Sequence, residues 1–313
     1  MRALALLLVV GCTQTQLPSP MPDLGPPDMA TPVQIVPLQI GPIPLNPGQE
    51  KTVCSVFKLP NANPIDVIQI NATLAPGSHH LVLYKSKATL EKVPPFDCPP
   101  LDISKGDVPV FIAETEANNS MPLPKGAAYH FEAGQMVKLE AHYLNATNQS
   151  VDGLGKVNLS VPLQPGTYQL ADIMFCGSVL ALSSQLGTGV PPGDTTLPPG
   201  FYKPPAGVKV FALTTHQHKR GALMTLDKST SSTPGTNLTM GQPYDNPPFV
   251  TYDDDHLVTF KPNEGFRWQC QYHNPNNKTY YFGQSAEDNE MCFFWAYYYP
   301  SVGKFISDFD CWQ

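Results

Sequence analysis

The sequence predicts an all-β protein built as two consecutive domains behind a short processed leader. Three observations carry this reading: 35 prolines and 23 glycines punctuate 313 residues, only 14% of side chains are charged, and no 3.6-period apolar stretch follows the first dozen residues. Proline and glycine at that density interrupt helices, whereas short alternating segments between turns are what strands require. A chain of 313 residues is long for one domain and sufficient for two, each burying its own core. The boundary is expected near Pro162 to Gly166, giving domains at 34–163 and 164–313. A formal charge of −7 without a Lys/Arg cluster argues against nucleic acid or an anionic membrane surface as the main partner.

The first segment is a leader. Met1-Arg2 precedes the apolar run Ala3 to Val10 and then Gly11-Cys12, too short a run to span a bilayer as a mature helix. Val9-Val10-Gly11-Cys12 resembles the site at which bacterial lipoproteins are cleaved and lipidated, so residues 1–11 are expected to be a signal peptide and Cys12 the lipidated first residue. Thr13 and Gln14 supply no aspartate retention signal, which points to the outer membrane of a bacterial cell envelope, with membrane contact through the lipid anchor only. Residues 12–33, with Pro18, Pro20, Pro22, Pro26, Pro27 and Pro32, have the composition of an extended tether.

With Cys12 assigned to lipid, six cysteines remain: Cys54, Cys98, Cys176, Cys270, Cys292 and Cys311. An even set without a CxxC pair in an exported protein is a disulfide framework. The sequence permits every pairing of the six. The domain boundary leaves Cys54 and Cys98 in the first domain, which makes them the simplest first bridge.

Strand signals then locate the histidines. Ile65-Asp66-Val67-Ile68-Gln69-Ile70 alternates, and Gly77-Ser78-His79-His80 opens the strand Leu81-Val82-Leu83-Tyr84. Met136 to Tyr143 alternates and carries His142, and Val208 to His218 alternates and ends in His216-Gln217-His218. Histidines two apart on a strand project from one face and can grip one metal ion, or stand as two surface side chains. Adjacent His79 and His80 point to opposite faces unless a bulge turns one ring round. Imidazole does not choose among copper, zinc, iron and nickel, whereas a thioether tilts the choice towards copper.

Glu290-Met291-Cys292 supplies that thioether, and the ordered set of His79-His80, His142-Tyr143, His216-Gln217-His218 and Glu290-Met291-Cys292 resembles the copper type II, ascorbate-dependent monooxygenases, the family of peptidylglycine α-hydroxylating and dopamine β-monooxygenase. The similarity runs from about residue 50 to 311, in short motifs between diverging loops. It implies two consecutive antiparallel β-sandwich, jelly-roll-like domains with one copper in each, facing one another across a cleft. His79, His80 and His142 would hold an electron-relay copper. His216, His218 and Met291 would hold the copper that binds oxygen. Molecular oxygen, an external reductant such as ascorbate and an organic substrate are then the partners, and hydroxylation of a C–H bond the reaction.

The resemblance also implies bridges Cys54–Cys98 and Cys270–Cys292. Cys176 precedes the family's usual position, near Phe201, so Cys176–Cys311 follows by exclusion. Thr214 stands where peptide-amidating members carry a carboxylate-binding arginine, and Phe293 and Trp295 where they carry asparagine and tyrosine, so a C-terminal glycine peptide is not the expected substrate. Phe293, Phe294, Trp295 and Tyr297 are read either as an apolar substrate pocket or as a sandwich-core strand. Glu140, two residues before His142, is a candidate to orient a ligand. His130, His256 and His273 match no ligand position, and Asp253-Asp254-Asp255 is read as a solvated turn. A non-catalytic copper-binding lipoprotein is the alternative to an enzyme.

Overall fold

Short apolar–polar alternations between turns become strands throughout the computed structural model, which describes residues 31–313 apart from 102, 104, 115, 116, 241–243, 245, 246, 308, 309, 312 and 313. The expectations for the signal peptide, Cys12 and the tether up to residue 30 lie outside the described residues. In chain order the first half contains β1 (Val33–Leu45), β2 (Glu50–Lys58), β3 (Ile65–Val67), β4 (Gln69–Leu74), β5 (Ser78–Lys85), β6 (Lys92–Asp97), β7 (Val108–Ala113), β8 (Asn118–Pro122), β9 (Ala127–Phe131), β10 (Met136–Leu144) and β11 (Val151–Pro162). The second contains β12 (Gln169–Leu170), β13 (Asp172–Gly177), the single helical turn α1 (Val179–Leu182), β14 (Gly193–Thr196), β15 (Gly200–Tyr202), β16 (Lys209–Gln217), β17 (Gly221–Ser229), β18 (Thr236–Met240), β19 (Phe249–Thr251), β20 (Val258–Thr259), β21 (Gly265–Asn274) and β22 (Cys292–Tyr299).

The first half packs sheet β1-β11-β4-β8 against sheet β6-β2-β10-β5-β7, with β12-β9-β3 at the side. The second packs β13-β22-β16-β19 against β14-β21-β17-β18, with β20 beside β16 and β15 beside β21. Every pairing is antiparallel except β12 with β9, so the molecule is an all-β assembly of antiparallel sandwiches. The bridges Cys54–Cys98, Cys176–Cys311 and Cys270–Cys292 are all formed.

Two apolar cores result, and β22 serves both. Met291, just before it, joins Phe293, Trp295, Tyr297 and Tyr299 in the core that contains the inner faces of the first-half sheets, while Cys292, Phe294, Ala296 and Tyr298 enter the second core. This is the period-2 geometry of a strand with apolar layers on both faces. Strand β13 divides likewise, Ile173 and Phe175 on one side, Met174 and Cys176 on the other. A hydrogen bond from the Ile112 amide of β7 to the Tyr297 hydroxyl, 3.0 Å long, ties β7 to this shared layer. Residues 32–313 form one compact unit.

The aromatic run divides between the two cores. Phe294 is a core residue against Phe266 and Trp268, whereas Phe293 and Trp295 lie on the face towards the first half, each stacked on Phe175 with centroids 4.2 and 4.1 Å apart.

Candidate metal centre

Strand register determines which histidines meet. On β5 and β10 His80 is the ladder partner of His142, while Tyr143 pairs with Ser78, so His79 is an extra residue in the ladder. A bulge at that point is what an adjacent pair requires if both rings are to reach one side. The ring centroids of His79 and His80 lie 5.4 Å apart, and those of His79 and His80 lie 5.2 and 5.0 Å from His142. The three first-half histidines thus form one group.

On β16 the residues Ala212, Thr214 and His216 share a face, with ladder partners Tyr297, Trp295 and Phe293 on β22. His218 follows at the strand end, its ring centroid 5.2 Å from that of His216. Gln217 pairs with Cys292, so continuing the ladder by one residue sets Met291 at the level of His218. Cys270–Cys292 and a 2.8 Å hydrogen bond from the Tyr272 hydroxyl to the Met291 carbonyl hold that backbone in place.

The two histidine groups adjoin. His216 lies 5.8 Å from His79 and 5.7 Å from His80 between ring centroids, and the closest donor atoms of His79, His80 and His216 all fall within 4.8 Å of one another. The cleft implied by the family resemblance is closed at this point. All five histidines and Met291 are at most 5% exposed.

Burial is the main reason that His79, His80 and His218 are held well below the ordinary imidazole pKa, with neighbouring histidines adding to it, so these rings are neutral at pH 7. His79 Nε2, both ring nitrogens of His80, His142 Nδ1 and His216 Nε2 are buried without a hydrogen-bond partner among the described residues. Each such atom costs about 1–3 kcal/mol if left unmet. Buried imidazoles converging with unmet nitrogens, with a buried thioether at the level of His218, are a donor set that fits copper.

Two carboxylates that the motifs did not disclose back these rings. His142 donates from Nε2 to Glu50 Oε1 at 2.8 Å, leaving Nδ1 towards the group, and Glu50 also accepts from the Ala286 amide at 3.3 Å. That bond to His142 is the first reason that the Glu50 carboxyl lies below its ordinary range. Glu114, just beyond β7 and 1% exposed, brings Oε2 to 3.5 Å from His216 Nδ1. A carboxylate behind a ligating histidine fixes which nitrogen is free and raises its basicity. Glu140 takes another position: it accepts from the Tyr84 hydroxyl at 3.0 Å and the Leu101 amide at 2.7 Å, so it anchors the loop after Cys98.

Thr214 is fully buried with its hydroxyl unpartnered, facing the layer of Trp295. His130, His256 and His273 lie elsewhere, on Asp66, Asp253 and Asp194. Asp253 also accepts from the Asp255 amide, and Asp254 from the Lys125 amide, as in a solvated turn.

Residues 201–307 match the family model of the copper type II ascorbate-dependent monooxygenase C-terminal domain. The matched span contains His216, His218, Met291, Cys270 and Cys292, whereas His79, His80 and His142 precede it. No curated protein matches the chain. Among solved structures, the major capsid protein P2 from bacteriophage PM2 is similar over 87% of this chain and 100% of its own, at 11% identity and a TM-score of 0.35, a likeness too slight to carry an argument.

Proposed function

We propose that this chain, whose residues 201–307 match the family model of the copper type II ascorbate-dependent monooxygenase C-terminal domain, is a dicopper monooxygenase that hydroxylates a C–H bond of a small organic substrate. The observation that carries the reading is the convergence of five buried histidines, four of them with unmet ring nitrogens, on strands whose register sets Met291 at the level of His218. His79, His80 and His142 would hold one copper and His216, His218 and Met291 the other, in domains 34–163 and 164–313. Bound copper supplies one-electron transfer and oxygen activation. The balance is R–H + O2 + 2 e⁻ + 2 H⁺ giving R–OH + H2O, the electrons coming from two one-electron steps of a reductant such as ascorbate.

The chain's own residues prepare this chemistry. Burial keeps His79, His80 and His218 neutral and available as donors. Glu50 and Glu114 face the far nitrogens of His142 and His216. The layer of Phe293 and Trp295 excludes water from the side of His216. The lipobox at Cys12 supports attachment to the bacterial cell envelope, at the outer membrane.

A second reading is favoured by one observation: the donors of His79, His80 and His216 lie within 4.8 Å of one another, close enough for a single copper shared by both halves in a non-catalytic binding protein. Copper content and ascorbate-driven oxygen uptake separate the readings. The monooxygenase should bind two coppers, lose one in each of Met291→Ala and His142→Ala, and lose substrate-dependent uptake in both. One copper per chain without uptake would sink the enzyme reading.

A further inference from the structure

Beside Met291 lies a cavity of about 150 Å³. Leu101 and Ile103 wall it from the first half, Phe175, Phe282, Met291 and Phe293 from the second, and Gln284 is the one polar side chain in its lining. The Phe293 ring stacks on Phe175 and meets Phe282 edge-on at 5.9 Å. Phe293 is also the ladder partner of His216, so the cavity is bounded by Met291 and by the neighbour of a histidine of the group.

No ionised side chain lines this space among the described residues. The carboxylates around it are engaged elsewhere: Glu50 with His142 and the Ala286 amide, Glu140 with the Leu101 amide and Tyr84, and Glu290 with Arg220. An ammonium or carboxylate group entering the cavity would lose its hydration without gaining a counter-charge. The cavity is half open to the surface, and at roughly 150 Å³ with Leu, Ile and Phe in its lining it has the volume of an enclosed cavity that takes benzene.

We infer that the substrate is an uncharged, apolar molecule of single-ring size, such as an alkylbenzene, held by ring contacts and at most one hydrogen bond from Gln284. The inference rests on the monooxygenase reading for its chemistry. With ethylbenzene, one benzylic C–H bond is broken and C–O and O–H bonds form. The second oxygen atom leaves as water, with two protons and two electrons from a one-electron reductant such as ascorbate.

Calorimetry on the purified, metal-free chain tests the cavity apart from catalysis, with ethylbenzene, benzylammonium and benzoate as probes. Ethylbenzene should bind at least tenfold more tightly than either ion, and Ile103→Trp, which fills the space, should abolish that binding. Ile103→Phe should weaken it and serves if the tryptophan variant does not fold. Equal binding of the ions, no binding of ethylbenzene, or indifference to both substitutions overturns the inference, while two coppers and ascorbate-driven oxygen uptake would leave the enzyme reading standing. Binding as expected without phenylethanol formation by the copper-loaded chain would instead overturn hydroxylation as the fate of this ligand.

Discussion

Glu290 immediately precedes Met291 and is fully buried, with Oε1 accepting from the Arg220 amide at 2.9 Å and from Arg220 Nη1 at 3.2 Å. The guanidinium is itself buried, donates to the Glu287 carbonyl and lies over the Tyr280 ring at 3.2 Å. Burial pushes the Glu290 carboxyl up, and the hydrogen bonds and charge of Arg220 only partly pull it back. Desolvation therefore outweighs attraction, and the pair is a poor net stabiliser whose rupture is nonetheless expensive, because it orphans one buried charge. Glu290→Gln keeps the acceptor but strands Arg220, at a cost of about 3–5 kcal/mol. At roughly 2–4 °C per kcal/mol for a unit of this size, the midpoint should fall by about 6–20 °C. Glu290→Gln with Arg220→Met removes both charges and should recover all but about 1–2 kcal/mol. Calorimetric melts of the four members of this cycle make the measurement. A single-variant loss below about 1 kcal/mol, or a double variant no better than Glu290→Gln, would refute the reasoning.

Two further predictions concern the centre itself. His79, His80 and His218 have folded pKa values below the unfolded value near 6.5, so in the metal-free protein their contribution to stability is present above that pH and is lost as pH falls. Between pH 7.5 and 5.5 the loss is on the order of 1 kcal/mol per ring; melts at the two values should show it, His80→Gln should reduce it, and a flat profile would contradict it. At Gly177 a Cβ would come within 2.1 Å of the Phe293 ring and 2.4 Å of the Cys292 carbonyl oxygen. Gly177→Ala should therefore cost about 1–3 kcal/mol and weaken ethylbenzene binding by displacing Phe293, and unchanged melting and binding would remove that ring from the cavity's wall.

Period and order made much of this legible. The alternation around His142 and His216 places those strands, the cysteine count gives a disulfide framework, and the bridges that the family resemblance implies are all formed, as is Cys176–Cys311, left by exclusion. The strand expected over Ile65 to Ile70 is interrupted at Ile68, whose amide bonds the Ser160 carbonyl. The adjacent pair His79-His80 was ambiguous because a bulge has no sequence signature of its own. Glu50 and Glu114 were invisible for a different reason: each is a lone acid that acquires a meaning only when a ring 92 or 102 positions away folds against it. Glu140 stood out by its spacing from His142, and only the fold shows its carboxylate accepting from the Leu101 amide and the Tyr84 hydroxyl. Phe293 and Phe294 are chemically identical neighbours, and only the pleat separates cavity wall from core.

The two-sided strand β22 has an evolutionary consequence. A gene fragment holding only the second half, from residue 164, would leave Phe293, Trp295, Tyr297 and Tyr299 as a bare aromatic wall, the kind of patch that drives aggregation. Recombination that exchanged the halves between relatives would have to carry a matching surface for that wall. The histidine group and its apolar backing are thereby inherited as a linked set, and drift in either half is constrained by the shape of the other.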